Sequence, residues 1–252
     1  MKPIVLMYHD VFVNNSNESG FNTLGALHYK IKSEKFESHL KTISQYCLSK
    51  GIDKNKIIFT FDDGGISFYS VIAPILEKYG WRACFFISTS YIGTEGFLDE
   101  QHIKDLRLRG HMIGSHSNHH KILTKLSVEE VIEELRTSVS TLSTILNEHV
   151  TLISIPNGCY NQKILDIALE NGFNTIFTSQ PTTRIKQLSN AKVIGRYAIV
   201  HNTKEKDIIR LLSSPLFRYI VELKYLILQF LKIVFGSNYF KVKLILRRYL
   251  FR

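Results

Sequence analysis

Along the chain, short apolar runs alternate with stretches in which apolar residues recur every three or four positions. The runs Ile4 to Tyr8, Ile57 to Phe61, Arg82 to Ile87, His111 to Ser115, Leu152 to Ile155, Thr175 to Thr178 and Val193 to Val200 are rich in Val, Ile and Phe and predict strands. Between them, Ser33 to Cys47, Ile66 to Tyr79 and Ser127 to Glu148 predict helices by period, and Ser127-Val128-Glu129-Glu130 opens the third as a capping box. Alternating strands and helices predict a parallel sheet covered by helices, and seven strands are close to the number that closes a barrel. No internal repeat or low-complexity segment interrupts the 252 residues, so one catalytic-sized core is expected.

The polar residues that break this pattern fall in one kind of place. His9, the pair Asp62 and Asp63, the pair His116 and His120, and Pro156-Asn157-Gly158 all lie at or just after the C-terminal ends of apolar runs. In a parallel barrel that end carries the active site, because strand ends converge there while the loops stay free to vary. Four separate segments therefore point to one site.

Two of these segments carry chemistry. In Thr60-Phe61-Asp62-Asp63-Gly64-Gly65 the adjacent carboxylates leave the strand in different directions, so one can hold a cation while the other reaches water beside it. Asp-Asp-Gly is also ordinary turn chemistry, and taken alone the segment fits a strand-ending turn equally well. His111-Met112-Ile113-Gly114-Ser115-His116-Ser117-Asn118-His119-His120 holds four histidines in ten residues. A turn after the strand can bring His116 and His120 to one point, and neutral imidazoles with one carboxylate suit zinc or a similar divalent ion with positions left open. His111 and His119 are expected outside the ligand set.

Thr60-Phe61-Asp62-Asp63-Gly64 and His116-Ser117-Asn118-His119-His120 resemble, in this order, the two metal-site motifs of the polysaccharide deacetylase family, also called carbohydrate esterase family 4. Met7-Tyr8-His9, the strand Ala83-Cys84-Phe85-Phe86-Ile87 and Pro156-Asn157-Gly158-Cys159-Tyr160-Asn161 agree with it, and the resemblance covers roughly residues 1 to 200. With the strand count it implies an irregular (β/α)7 barrel over residues 1–203, followed by a basic helical tail over 204–252. It implies Asp63, His116 and His120 as ligands of a divalent ion, Zn2+ by donor type, Asp62 as the general base, and the backbone N–H of Asn157 as the oxyanion donor. The reaction implied is removal of the acetyl group from an N-acetylated sugar or glycan.

The chain departs from that family's pattern twice. Many members carry an arginine two residues before the motif proline, where this chain has Ser154, so the charge that orients Asp62 is either missing or supplied elsewhere. No Leu-x-His motif stands near Val193 to His201, which leaves His9 and His201 as candidates for the general acid. Two alternatives stay open: an O-acetyl esterase using the same machinery, and a glycan-binding protein that keeps the metal site without turnover.

Composition sharpens location and partners. Hydrophobic residues at 44% and charged residues at 21% exclude disorder and a multi-span membrane protein. The net charge of +10 is concentrated late: residues 204–252 carry eleven Lys and Arg against three Asp and Glu. The catalytic part is nearly neutral, so no nucleic-acid groove is expected across it. Three cysteines form no disulfide pattern, and the start Met1-Lys2-Pro3-Ile4-Val5-Leu6-Met7-Tyr8-His9 does not read as a signal peptide, so a cytoplasmic location is expected. Leu216 to Phe235 predicts an amphipathic helix, and Tyr239 to Arg252 mixes apolar and basic residues. This tail either packs on the barrel or another subunit, or lies peripherally on the inner face of a membrane, where a lipid-linked glycan would be the substrate.

Overall fold

The computed structural model describes residues 2–235. Its strands are β1 (Ile4–Tyr8), β2 (Val11–Phe12), β3 (Ile31–Lys32), β4 (Ile57–Phe61), β5 (Ala83–Ile87), β6 (Met112–Ser115), β7 (Leu152–Ser154), β8 (Thr175–Phe177), β9 (Ile185–Leu188), β10 (Ala191–Ile194) and β11 (Tyr197–Ala198). The helices are α1 (Leu24–Leu27), α2 (Ser33–Lys50), α3 (Ala73–Lys78), α4 (Glu100–Leu108), α5 (Val128–Leu146), α6 (Gln162–Glu170), α7 (Glu205–Ser213) and α8 (Pro215–Phe235). Nine strands form one sheet in the order β11-β1-β4-β5-β6-β7-β8-β10-β9, and β2 pairs with β3 separately. Every neighbouring pair in the large sheet is parallel except β9 with β10. The sheet curls into the expected irregular barrel with helices around it.

Side chains alternate across the strands and split the interior in two. Ile4, Leu6 and Tyr8 of β1 and Ala83, Phe85 and Ile87 of β5 face the helices in a large cluster of buried residues. Val5, Cys84, Phe86 and Phe177 point the other way and fill the inside of the barrel. Both faces are apolar, which is why these strands read as continuous hydrophobic runs. Gly114 on β6 allows this filling, since a Cβ there would lie 2.6 Å from the Phe86 ring.

Two predicted elements form differently. Val193 to Val200 is not one strand: β10 ends at Ile194 and β11 begins at Tyr197, because Gly195 and Arg196 leave the ladder and Arg196 turns into the barrel. The helix expected over Ile66 to Tyr79 begins as a π-helical segment, Phe68–Ile72, before α3. Pro74 stands in the first turn of α3, where it has no N–H to donate and the helical ladder must restart. Ser127 caps α5 with both hydrogen bonds of the capping box in place. The amphipathic helix expected from Leu216 forms as α8, and the basic segment 239–252 lies outside the described residues.

Candidate active site

The strand β4 delivers two carboxylates at its end and then turns sharply. Asp63 has φ 91° and Gly64 φ 95°, so the chain leaves the strand through two left-handed residues. For Asp63 that conformation is strained, and strain of this kind persists where the surroundings fix it. Here the carbonyls of Asp63 and Gly64 accept hydrogen bonds from the backbone of Ser88 (3.3 Å) and Leu98 (3.0 Å). The turn thus holds both Asp side chains toward the barrel mouth.

The histidines arrive from β6 through a second strained turn. Ser117 (φ 59°) and His120 (φ 56°) are left-handed. Glu134, buried on α5, anchors the turn by accepting from the backbone N–H of Asn118 (3.1 Å) and His119 (2.8 Å) and from His119 Nδ1 (2.8 Å). His119 is thereby drawn toward α5, away from the ligand cluster. His111 sits at the opposite end of β6 with Glu77, 2.9 Å away, and is structural.

Asp63, His116 and His120 meet, with one ligand atom from each lying within 4.8 Å of the others. Asp63 Oδ1 is 3.5 Å from His116 Nε2 and 3.3 Å from His120 Nε2, and this buried oxygen has no hydrogen-bond partner. His116 Nδ1 lies 2.8 Å from the Ser154 carbonyl, to which it donates, so Nε2 is the nitrogen turned to Asp63. Two imidazole nitrogens and an unpartnered carboxylate oxygen at these separations fit a divalent cation. Burial disfavours charge on His116, but Asp62 and Asp63 outweigh it and raise its pKa. Burial, helped by His116, lowers that of His120 to about 4.

Asp62 lies in a different setting. Arg196, fully buried, donates to Asp62 Oδ1 through Nη1 (2.7 Å) and to Oδ2 through Nη2 (2.8 Å). Its remaining donors reach the Thr178 carbonyl (3.1 Å), Thr60 Oγ1 (3.2 Å) and Ser154 Oγ (2.8 Å), and Ser154 Oγ donates to Asp62 Oδ2 (3.1 Å). All five guanidinium N–H groups are used. The guanidinium also stands over the Phe86 and Phe177 rings that fill the barrel. Burial works against charge on Asp62, yet Arg196 holds its carboxyl far below the usual carboxylate range. The charge not found before Pro156 is therefore supplied from the break between β10 and β11. Sequence reading missed Arg196; the available signal was a glycine-arginine pair inside an apolar run.

These groups line a groove of about 990 Å³ whose walls include His9, Asp62, Asp63, His116, His120 and Asn157. His9 packs against Tyr29 with ring centroids 4.2 Å apart and the rings tilted by 31°, and its buried Nδ1 has no partner. Asn157 is left-handed (φ 58°) in the turn after β7. His201 does not line the groove: it is exposed, and its Nδ1 bonds the His28 carbonyl at 3.0 Å. One wall comes from α8, through Tyr225, Leu228 and Gln229.

The chain is also similar to known proteins. A family model described as polysaccharide deacetylase matches residues 49–176. YxkH of Bacillus subtilis (strain 168) is 28% identical over 191 residues, which is 70% of this chain and 64% of that protein, so the chain spans less than two thirds of this relative. The poly-beta-1,6-N-acetyl-D-glucosamine N-deacetylase of Staphylococcus aureus (strain MRSA252) is 25% identical over 206 residues, covering 69% of this chain and 71% of that one. Among solved structures, the Streptococcus pyogenes deacetylase PplD in complex with acetate superposes with a TM-score of 0.70 at 23% identity, covering 84% of this chain and 99% of that one.

Proposed function

Because the chain belongs to the polysaccharide deacetylase family, we propose that it hydrolyses the acetamide of an N-acetylated sugar in a glycan, releasing acetate and a free amine. The observation that carries this reading is the unpartnered Asp63 Oδ1 facing the His116 and His120 nitrogens, beside an Asp62 held ionised by Arg196. Asp63, His116 and His120 are the groups that hold a divalent cation, with Zn2+ the best match to two imidazoles and one carboxylate. Bound there, such an ion polarises the acetyl carbonyl and acidifies water.

The chain's own residues do the rest. Asp62 takes the proton from the attacking water, and Arg196 with Ser154 keeps its carboxylate oriented and ionised. The Asn157 backbone N–H, in the turn that borders the groove, serves as donor to the oxygen that gains charge as the carbonyl carbon becomes tetrahedral. His9, whose imidazole lines the groove within the field of both carboxylates, hands a proton to the amine as the C–N bond breaks. Arg196 fills the role that Ser154 left open, which favours turnover over a glycan-binding protein that only keeps the metal site. For location, three free cysteines support a cytoplasmic setting, which cell fractionation tests.

The deciding experiment measures acetate released from N-acetylated and O-acetylated oligosaccharides, with and without a chelator, for wild type, Asp62→Asn and His116→Ala. Chelator-sensitive release from the amide substrates, lost in both variants, is expected. Release from the esters alone would replace the amide reading, and release that survives chelation would remove the metal from it.

A further inference from the structure

The last described helix, α8, packs Phe217 and Val221 against the core yet is apolar on its outer side as well. On the side of α8 that meets the protein, Arg218 donates to the carbonyls of Leu211 (2.6 Å) and Leu212 (3.2 Å) near the end of α7. Buried Glu222 pairs with Arg184, and Tyr225 and Gln229 face the groove. On the opposite side Leu216, Tyr219, Leu223, Leu226, Ile227 and Phe230 are each 42–67% exposed. A helix packed on a protein and bathed in water carries polar residues on its outer side, and a continuous apolar face there marks a contact surface.

Resting on the reading of the groove as a glycan deacetylase site, we propose that α8 lies on an anionic lipid surface and presents the groove to an acetamido sugar carried by a lipid. Charge selects this occupant. Residues 236–252, which directly follow α8, contain Lys241, Lys243, Arg247, Arg248 and Arg252 and no Asp or Glu. Each such charge is attracted to anionic headgroups, and the attraction adds over the segment. A second copy of the chain would instead bring two cationic segments together across a symmetric contact. Among the described residues no helix is long and apolar enough to cross a membrane, so the contact is one of lying along the surface. Because Tyr225, Leu228 and Gln229 of the same helix line the groove, lipid contact fixes the distance between the site and the headgroup layer.

The test floats the purified full chain with vesicles of phosphatidylcholine alone or mixed with phosphatidylglycerol. The variant Leu223→Glu/Ile227→Glu/Phe230→Glu changes residues outside the groove, and a second variant changes Lys241, Lys243, Arg247 and Arg248 to Gln. Expected are at least about tenfold stronger partition onto the anionic vesicles, weakened by salt, and loss of that preference in both variants. Turnover of a soluble N-acetylated oligosaccharide should stay at wild-type level in both, while turnover of a lipid-linked one in vesicles falls with partition. Equal flotation of wild type and both variants would overturn the proposal, as would conversion of a dimer to a monomer by the triple variant with flotation unchanged. If no substrate releases acetate although flotation behaves as expected, the deacetylase reading fails and the lipid contact stands. Turnover of soluble substrate without flotation would sink the lipid contact alone.

Discussion

Two halves of the same groove floor are finished to different degrees. Around Asp62, Arg196 spends all five donors on Asp62, Ser154, Thr60 and the Thr178 carbonyl, and both carboxylate oxygens are bonded. Around Asp63, a carboxylate oxygen lies 3.3–3.5 Å from two imidazole nitrogens and lacks any hydrogen bond. A buried charge is tolerated when paired and costly when not. The first half is completed by the protein itself, while the second leaves a carboxylate oxygen unpartnered in a geometry that fits a cation. Ser154 joins the two, since its hydroxyl serves Asp62 and its carbonyl fixes His116.

Damage to each half should therefore register on a different instrument. The largest expected effect is on turnover: Asp63→Asn removes an anionic ligand and should lower kcat/KM more than the ~10–100-fold typical of groups behind the ligands. The same change should move the unfolding free energy of chelated protein by only about 1 kcal/mol. An Asp63→Asn protein with near-normal activity would erase the distinction between the halves. Arg196→Met should reverse the balance. It strands the Asp62 charge inside the barrel, and denaturant unfolding should report a loss of about 3–5 kcal/mol. If Arg196→Met were as stable as wild type, the first half would not be finished as described.

Acidity separates the halves more finely. The pKa of His116 is raised in the folded, metal-free chain, so its charged form adds stability that is fully present below the unfolded value of about 6.5 and is lost as pH rises through the folded value. A cation must displace that proton. Its apparent affinity should then climb by up to about tenfold per pH unit below the folded pKa, with a proton released on binding. Calorimetric titration in two buffers of different ionisation enthalpy measures this, and zero proton release would contradict it. Asp62 runs the other way: its depressed pKa contributes stability above about pH 4 that is lost on acidification below it. The smallest effect is expected from Ser154→Ala, about 1 kcal/mol, because Arg196 still satisfies both Asp62 oxygens. A loss as large as that of Arg196→Met would mean that the hydroxyl, and not the guanidinium, holds Asp62.

The first half was harder to see in the sequence than the second. Asp62, Asp63, His116 and His120 stand in short segments whose spacing and position after strands carry their own meaning, and the structure brings them together. Arg196 has no such local signature. It lies 134 positions from its partner inside Val193 to Val200, whose composition is that of a strand, and only the folded sheet shows that Gly195 and Arg196 drop out of the ladder. His9 and His201 were equivalent in sequence because each follows an apolar run; the groove separates them. The amphipathic character of α8 was likewise legible from its period, but periodicity is silent about which side meets the barrel; here Arg218, Glu222 and Gln229 face the protein together with Phe217 and Val221.

The left-handed backbone at Asp63, Ser117, His120 and Asn157 also bears on how this chain can change over generations of variants. Glycine adopts that conformation freely, whereas residues with a Cβ resist it. A population screened only for persistence of the folded chain would be drawn to glycine at these positions, and so would discard a proposed cation ligand or reshape the turns that present one. Selection for robustness and selection for turnover pull in opposite directions at these sites, and a library aimed at durability has to hold them fixed.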